Sequence, residues 1–429
     1  MLLRRLSNRF QPMLTGRLPP NVPHLSGCLI MSPKLPVWAY SLPTALLLMA
    51  PFDILASLAM DIYLPIVPAM PGILGTSPVI VQLTLSLYMV MLGLGQIIFG
   101  PISDRVGRRP VLISGAFLFA AASFCLAASS TAAPFVALHF LQAVGASAAM
   151  VATFATVRDV YADRPESMVI YSLFSSMLAF VPAVGPIAGA LLADSFGWRS
   201  IFVTLGVLAV LAVLHALLRW HETRPVAATM SRRSFLPVLR SLAFWTYTLG
   251  FSAAMGTFFV FFSTAPRALI DRAGYSELEF SVAFATAAVV MIITTRFAKR
   301  FVARWGNAGS LTRGMVMLLL GAGLLSIGQM FGIPSFATFI VPMWVMAIGI
   351  VFTVSVTANG ALEKFGDIAG SAVALHFCVQ SLIVSIGGTL VVIRLQGDTA
   401  WPLATFSSIM ALVVLIARGW LNYRIRPRV

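Results

Sequence analysis

Two carboxylic acids lie in one long apolar stretch near the start of the chain. Asp53 and Asp61 are the acids of segment 39–65, and Pro51 stands just before the first of them. A carboxylate at membrane depth is costly, and by default it faces a protein interior or a water-filled path. Eight residues along a helix separate the two by about 12 Å, with about 80° of rotation between them. The pair is therefore a candidate site for binding protons or a polar substrate. A buried acid paired with a cation is the structural alternative.

The composition of the chain is that of a membrane protein. Of its 429 residues, 59% are hydrophobic and 10% are charged, and the mean hydropathy is +0.93, whereas soluble domains are about 25% charged. Apolar runs of about 20 residues, long enough to cross a bilayer as a helix, recur along nearly the whole chain. We therefore predict an all-α integral membrane fold, with twelve transmembrane helices set in the lipid bilayer as two pseudo-symmetric six-helix halves. The predicted spans are 39–65, 79–100, 110–128, 134–157, 168–192, 200–218, 242–265, 277–296, 311–331, 335–358, 368–393 and 400–418.

The net charge of +15 is explained by membrane topology rather than by nucleic-acid binding. With the N-terminus inside, the predicted inner segments hold 25 of the 29 Lys and Arg residues. Arg199, Arg267, Arg272 and Arg394 stay on the outer side. An excess of positive charge on inner segments is the pattern that orients membrane proteins. We therefore expect both termini in the cytoplasm and no nucleic-acid partner.

Polar stretches divide the chain into five predicted regions. The longest polar stretch after the N-terminus splits the spans six and six, as expected for two halves related by an internal repeat. The first residues are basic and free of acids, which predicts a disordered arm or an upstream-extended start with Met31 as the alternative. The predicted regions are the N-terminal arm 1–35, the first six-helix half 36–218, the cytoplasmic central loop 219–241, the second six-helix half 242–420 and the basic cytoplasmic tail 421–429.

The sequence GPISDRVGRRP, which follows the second span, is the most specific motif in the chain. Its glycines permit a tight turn between two helices, and its arginines hold the inner surface. Asp104 can cap a helix or pair with a cation, and Arg158 at the end of span four is a candidate for that cation. This motif is the signature of the major facilitator superfamily, which the chain therefore resembles. The predicted gating residues are Gly100, Asp104, Arg105, Gly107, Arg108, Arg109 and Arg158.

A second motif, PAVGPIAGALLAD, lies in the fifth span. Gly185 and Gly189 form a GxxxG face for close helix contact, and Pro186 bends the helix. In the superfamily that the chain resembles, the same pattern in span five marks antiporters rather than uptake symporters. We therefore predict that these three residues form an antiporter motif.

Longer segments resemble a narrower group, the chloramphenicol and florfenicol exporters. The resemblance is carried by MAPFDILASLAMDIYLPIVPAMP, QLTLSLYMVMLGLGQIIFGPISDRVGRRP, VATFATVRDVYADRPES and MGTFFVFFSTAP, and it runs from about residue 36 to beyond residue 401. It implies a drug:proton antiporter that exports amphenicol antibiotics across a bacterial inner membrane by alternating access and so confers resistance. It also implies that Asp53 and Asp61 take part in binding drug and proton. We expect the carrier to be a monomer.

One position departs from the pattern of those exporters. Where they carry an arginine in the fourth span, this chain reads HFLQAVGAS, with His139 at that place and Gln142 one turn on. Arginine stays charged, whereas a buried histidine loses its charge readily. His139 would therefore hold a nearby carboxylate ionised only while it is itself protonated. Three interpretations stay open: an Asp–His proton relay, weakened coupling with poor transport, or a neutral core histidine bonded to a backbone carbonyl.

A cavity for a small drug is expected to combine apolar and aromatic side chains with a few polar groups. Span seven is unusually aromatic, with Phe258, Phe259, Phe261 and Phe262 covering both sides of its helix, so we expect some of them to face lipid. His376 in span eleven is expected to be a satisfied core histidine. The predicted cavity residues are Tyr63, Tyr88, Met91, Gln96, Gln142, Phe258, Phe262, Asn359 and Gln380.

The sequence gives no support to a metal centre or an enzyme active site. Three cysteines, at positions 28, 125 and 378, are too few and too scattered for a metal cluster, and there is no Walker, dinucleotide or HExxH motif. We therefore expect no cofactor, no metal and no enzymatic activity. Two alternatives stay open: export of another small apolar drug or metabolite with the same coupling, or a non-transporting membrane sensor. Proton-coupled uptake is disfavoured because it leaves the span-five motif without a role.

Overall fold

The structure is a computed structural model of the chain, and it describes residues 38, 40–161, 164, 166–224, 236–365 and 369–425. The predicted N-terminal arm, 1–35, lies outside the described residues. Residues 225–235 of the predicted central loop and 426–429 of the predicted tail also lie outside them.

Long helices make up the described chain. They form because a helix satisfies its own backbone polar groups, which the bilayer interior requires of a spanning segment. α1 is followed by a 3₁₀ turn, Leu64–Ile66, and α7 by a π-helical turn, Arg267–Arg272. The helices are α1 (Leu42–Asp61), α2 (Pro78–Val106), α3 (Arg108–Ala128), α4 (Ala132–Tyr161), α5 (Glu166–Phe196), α6 (Arg199–Arg219), α7 (Leu242–Pro266), α8 (277–305), α9 (307–330), α10 (Val341–Leu362), α11 (369–394) and α12 (Trp401–Ile425).

The number of spans agrees with the prediction. Ten segments of the described chain are long and apolar enough to cross a membrane, and one of them, Glu277–Met330, is broken at Gly306 into α8 and α9. α5 supplies a further span, and Phe180–Phe196 is its apolar part. The predicted fold class, an all-helical membrane protein of twelve spans, is confirmed.

The turn after α2 and the break after α8 are built in the same way. Each depends on a single glycine with a positive φ, 120° at Gly107 and 68° at Gly306, a conformation that residues with a side chain rarely adopt. Val106 ends α2 and Arg108 begins α3, so the turn of the GPISDRVGRRP motif is one residue long. α8 likewise continues through most of the stretch that we expected to be a loop, because the glycine alone breaks the helix. The matching glycines support the predicted internal repeat.

Helix packing gathers the described chain into two groups, α1–α6 and α7–α12. In the first group, α4 packs against α2 and α3, and α3 also packs against α6. In the second group, α7 packs against α10 and α12. Two seams join the groups: α2 lies against α11, and α5 lies against the helical stretch that contains α8. The predicted cavity residues of α2 and α11 are therefore on helices that meet across a seam.

One expectation about span seven is wrong for three of its four phenylalanines. We expected some of its four phenylalanines to face lipid, yet Phe259, Phe261 and Phe262 are at most 3% exposed and Phe258 is partly buried. α7 is in contact with several other helices, and the ring of Phe261 stacks on that of Phe284 in α8 with centroids 4.9 Å apart. Because α7 occupies an interior position, aromatic residues on all its sides find protein contacts.

Candidate functional site

Both predicted acids of α1 are buried. Asp53 is 8% exposed, and Asp61, the last residue of the helix, is 5% exposed. Neither carboxylate forms an ion pair or a hydrogen bond with a residue that the structure describes. The alternative of a buried acid paired with a cation is therefore not seen in the described chain. Because an ionised carboxylate buried without a partner is costly, a proton or a donor group of a substrate would stabilise either residue.

The predicted antiporter motif of α5 lies directly against the end of α1. A β-carbon at Gly185 would be 2.7 Å from the Asp61 β-carbon, and one at Gly189 would overlap the carbonyl oxygen of the residue after Asp61. Glycine at both positions therefore lets the two helices approach closely. Between them, the Pro186 carbonyl oxygen accepts a hydrogen bond of 3.1 Å from the Ser281 hydroxyl of α8. One short stretch of α5 thus contacts both a buried acid and the second group of helices.

Gly189→Ala is expected to lower stability, because its new methyl group would overlap a backbone carbonyl that cannot rotate away. Overpacking of this kind costs about 1–3 kcal/mol, more than the gain in helix propensity from glycine to alanine, which is at most about 1 kcal/mol. The measurement is the thermal unfolding midpoint of the purified protein in detergent. Gly323→Ala in α9 is the matched control, since a β-carbon there would meet nothing within 4 Å. Equal midpoints for the two variants would contradict the close α1–α5 contact.

His139 is fully buried in a cluster of aromatic rings. Its ring centroid lies 5.6 Å from that of Tyr63, 5.3 Å from that of Tyr88 and 6.1 Å from that of Phe135. Neither ring nitrogen has a hydrogen-bond partner in the described part of the chain. In this conformation the ring thus makes neither a direct bond to an acid nor a bond to a backbone carbonyl. The relay and weak-coupling interpretations stay predictions.

Tyr88 connects α2 to α1 at a depth between the two acids. Its hydroxyl donates a hydrogen bond of 2.8 Å to the carbonyl oxygen of Ala56. Tyr63, two residues after Asp61, is fully buried. Both predicted cavity tyrosines therefore belong to the aromatic cluster around His139, beside the outer of the two acids.

The other predicted cavity residues occupy both buried and accessible positions. The Gln142 side-chain amide donates a hydrogen bond of 2.8 Å to Ser123, so it joins α4 to α3. The Gln380 side-chain oxygen accepts a hydrogen bond of 3.4 Å from the neighbouring Ser381. Met91, Gln142, Phe262 and Gln380 are buried, Gln96 and Phe258 are partly exposed, and Asn359 is exposed near the end of α10.

The gating motif forms a network of charges at the predicted inner end of the first group. The buried Arg108 guanidinium donates hydrogen bonds to Asp159 at 2.7 Å and to Ser103 at 2.8 Å, and it lies 2.5 Å from Asp104. Arg158, which we proposed as a partner of Asp104, is 3.9 Å from it and has a side chain that is 57% exposed. Exposed pairs at such a distance contribute little. The main cationic partner of Asp104 is therefore Arg108.

Glu222 fastens the central loop to the same network. Its carboxylate accepts hydrogen bonds from the backbone N–H groups of Arg108 at 2.9 Å and Arg109 at 3.1 Å. These residues begin α3, where unpaired N–H groups and the helix dipole favour an anion. The same carboxylate also accepts bonds from the backbone N–H groups of Thr223 and Arg224, at 3.0 and 2.9 Å. One acid thus holds the start of α3 and the loop after α6 together.

Sequence reasoning misses three members of this network. Ser103, Asp159 and Glu222 are absent from the predicted gating residues, although Ser103 lies within the motif and Asp159 directly follows Arg158. Because Asp159 stands beside Arg158, a proposed cation of the network, its position could have marked it as a candidate member. Glu222 stands 114 residues from its partner Arg108, and no spacing pattern in the sequence connects them.

Within the described residues, three hydrogen bonds join the two groups, and all lie near the predicted outer ends of their helices. The Gln82 amide of α2 donates to the Ser263 hydroxyl of α7 at 3.0 Å, and the hydroxyls of Ser86 and Thr389 lie 2.5 Å apart. The third is the bond between α5 and α8 described above. The contacts of the gating motif, at the opposite end, stay within the first group. The hydrogen bonds that join the two groups in the described chain thus lie toward one end of the helices.

Buried acids in an apolar helix, two helical groups joined along seams, and a charged turn at one end together define a multi-pass membrane transport protein. Residues 52–388 match the Major Facilitator Superfamily, and the chain belongs to this family. The resemblance inferred from the GPISDRVGRRP motif is confirmed.

The chain is similar to several bacterial proteins along most of its length. It is 49% identical over 387 residues to a chloramphenicol resistance protein of Pseudomonas aeruginosa, which covers 90% of this chain and 92% of that protein. It is 32% identical to the uncharacterized MFS-type transporter YdgK of Bacillus subtilis strain 168, over 85% of this chain and 92% of that protein. The multidrug resistance protein MdtL of Escherichia coli is 29% identical, over 73% and 79% of the two chains.

A solved structure has the same fold. It is the crystal structure of a POT family transporter in complex with 5-aminolevulinic acid, which matches with a TM-score of 0.70 over 91% of this chain and 99% of that one. At 14% sequence identity, this likeness concerns the fold alone.

Proposed function

We propose that the chain exports amphenicol antibiotics such as chloramphenicol from the bacterial cytoplasm in exchange for protons. The observation that carries the proposal is the pair of buried α1 acids without a described partner, in a chain 49% identical to a chloramphenicol resistance protein. The protein lies in the inner membrane with both termini in the cytoplasm, and it works as a monomer. The excess of basic residues in the predicted inner segments supports this topology.

Drug and proton would be coupled because they compete for the negative charges of the two acids. Asp53 lies about 12 Å along the helix from Asp61, at the depth of the predicted cavity. An ionised Asp53 favours binding of drug from the cytoplasm, and protonation from the outer side releases the drug and resets the carrier. Asp61 touches the α5 glycine motif, so a change in its charge acts where α1 and α5 are closest. No step requires a cofactor.

Alternating access would use the two ends of the bundle as gates. In this structure the groups are hydrogen-bonded to each other near their predicted outer ends, which supports a conformation closed to the outside. The charged network around Arg108 lies at the other end and contacts only its own group in the described chain. We propose that this network latches the inner gate when the carrier turns outward. Such rocking of two halves around a fixed central site is how repeat-built transporters work.

A second candidate is export of other small apolar drugs by the same mechanism. It is favoured by the similarity to MdtL, which is named a multidrug resistance protein. The aromatic rings around His139 also suit a range of apolar compounds rather than a single one. A membrane sensor without transport is not favoured by any contact in the structure.

Growth inhibition separates these candidates. The chain is expressed in a host that lacks its own drug exporters, and minimal inhibitory concentrations are measured for chloramphenicol, florfenicol and unrelated antibiotics. We expect raised concentrations for the two amphenicols and loss of the effect when a protonophore is added. Raised values for unrelated drugs alone would favour the second candidate. Unchanged values for every drug, with the protein present in the membrane, would contradict export.

A further inference from the structure

His376 of α11 has one ring nitrogen held by a neighbour and the other without a partner. The residue is 1% exposed, and its Nδ1 lies 2.9 Å from the Thr248 hydroxyl of α7. Its Nε2 is buried and has no hydrogen-bond partner in the described chain. A buried polar atom of this kind reduces stability and is uncommon in native proteins. The expectation of a fully satisfied core histidine is therefore not met at this nitrogen.

Aromatic rings enclose this histidine. The ring centroids of Phe251, Phe377 and Phe244 lie 5.0, 5.4 and 6.4 Å from that of His376. Phe377 is 36% exposed and Phe251 is partly exposed, whereas Phe244 is fully buried. Two of the three rings thus expose apolar surface, and they cover a buried nitrogen that is able to form a hydrogen bond. That combination suits a small aromatic solute with a polar substituent.

The histidine lies on α11, one of the helices that form the seams between the two groups. A β-carbon at Gly93 of α2 would overlap Ser381 of α11 and lie 3.5 Å from the Phe377 carbonyl oxygen. Along α11, His376 is five residues, or about 7.5 Å, from Ser381 toward the predicted inner end. On α2, Gln96 is partly exposed and lies about 4.5 Å from Gly93 in the same direction. His376 is therefore about one and a half turns along α11 from a residue that packs closely against α2.

The buried acid of the other group lies about 10 Å nearer to the predicted outer end than His376 does. The bond between Tyr88 and the Ala56 carbonyl aligns α2 with α1. Counted from this bond, Asp53 lies about 4.5 Å toward the predicted inner end and Gly93 about 7.5 Å. His376, five residues beyond Ser381, lies about 15 Å from the bond in the same direction. An elongated solute between the groups would therefore span about 10 Å to meet both Asp53 and the rings around His376.

We propose that His376 is a substrate-binding residue contributed by the second group of helices. Its Nε2 forms a hydrogen bond with a hydroxyl or amide group of a neutral aromatic substrate, whose ring packs on Phe251 and Phe377. Thr248 positions the imidazole. If the Thr248 hydroxyl donates to Nδ1, then Nε2 carries the hydrogen and donates to the substrate; in the other tautomer Nε2 accepts. This assignment rests on the proposed function, since it names a binding contact for the exported drug.

The test is the dissociation constant of chloramphenicol for the purified carrier in detergent, measured by titration calorimetry. His376→Phe keeps an aromatic ring and removes both nitrogens, so we expect the Kd to rise about fivefold, the value of one hydrogen bond. His376→Gln retains a hydrogen-bonding group and should raise the Kd by only about twofold. His215→Phe, in a partly exposed position of α6, is the matched control and should leave the Kd unchanged.

The outcomes separate this inference from the proposed function. If the parent binds chloramphenicol and His376→Phe binds it with the same Kd, His376 is not a binding residue and the proposal is overturned. If the parent does not bind chloramphenicol, the proposed function fails and this assignment fails with it. Size-exclusion chromatography shows whether each variant is folded. Where His376→Phe does not fold, Thr248→Val takes its place; it frees Nδ1, and an unchanged Kd for that variant overturns the proposal.

Discussion

Asp53→Asn is expected to reduce strongly the accumulation of chloramphenicol driven by a proton gradient. The asparagine amide has nearly the same shape as the carboxyl group but cannot bind and release a proton. Coupling free energies between two ligands are typically about 1–3 kcal/mol, or about 5- to 150-fold in affinity. We therefore expect accumulation in everted membrane vesicles to fall by a factor within that range. The measurement is the amount of labelled drug retained at steady state, over a series of external pH values.

The matched control for this change is Asp194→Asn. Asp194 is an exposed acid near the end of α5, so the same chemical replacement there leaves the interior of the bundle unchanged. Its accumulation and pH dependence should equal those of the parent. If instead Asp53→Asn accumulates drug with the parental pH dependence, Asp53 is not the coupling group, and Asp61 becomes the stronger candidate.

Asp159→Ala is expected to destabilise the protein strongly. The side chains of Asp159 and Arg108 are 5% and 3% exposed, and they form a hydrogen-bonded ion pair at 2.7 Å. Removing one partner of a buried pair typically costs about 3–5 kcal/mol, because the other charge is left in a poorly solvated place. Asp104 remains beside Arg108, which places the expected loss at the lower end of that range. Thermal unfolding of the purified protein in detergent measures the change.

Arg158→Gln supplies the comparison for Asp159→Ala. Arg158 contacts the same two acids, Asp104 and Asp159, but at 3.9 and 3.6 Å and with a side chain 57% exposed. Exposed pairs contribute at most about 1 kcal/mol, so this variant should unfold close to the parent. A loss of stability as large as that of Asp159→Ala would show that the network does not depend on its buried pair.

The number and placement of the helices could be read from the sequence because the bilayer permits few alternatives. Each span needs about 20 apolar residues. Most predicted bounds lie within four residues of the helix ends, as with span six at 200–218 and α6 at Arg199–Arg219, and the largest difference is nine residues, at the end of α8. The turn after span eight was harder to predict. Its basic residues predict a loop, yet the chain stays helical as far as Gly306, where the positive φ falls on a single residue. Charge composition marks the side of the membrane but not where a helix breaks.

The candidate site could be predicted only in part. Asp53 and Asp61 stand out because their chemistry conflicts with their surroundings, and the contact between Asp61 and Gly185 follows a known packing pattern. The role of Glu222 and the arrangement of Thr248 with His376 depend on contacts between distant segments. Serine, threonine and glutamate residues that form such contacts do not recur at regular intervals in the sequence, so no sequence pattern identifies them. The interior position of α7 likewise depends on tertiary packing, which hydropathy does not report.

Drug-driven proton movement tests the exchange of chloramphenicol for protons most directly. Everted vesicles are acidified inside by respiration, the internal pH is followed with a fluorescent amine, and chloramphenicol is added. The proposed antiport predicts that the drug enters as protons leave, so the parent should show a rise in internal pH and Asp53→Asn should show none. No rise with the parent, or an equal rise with Asp53→Asn, would contradict proton-coupled export through the buried acid of α1.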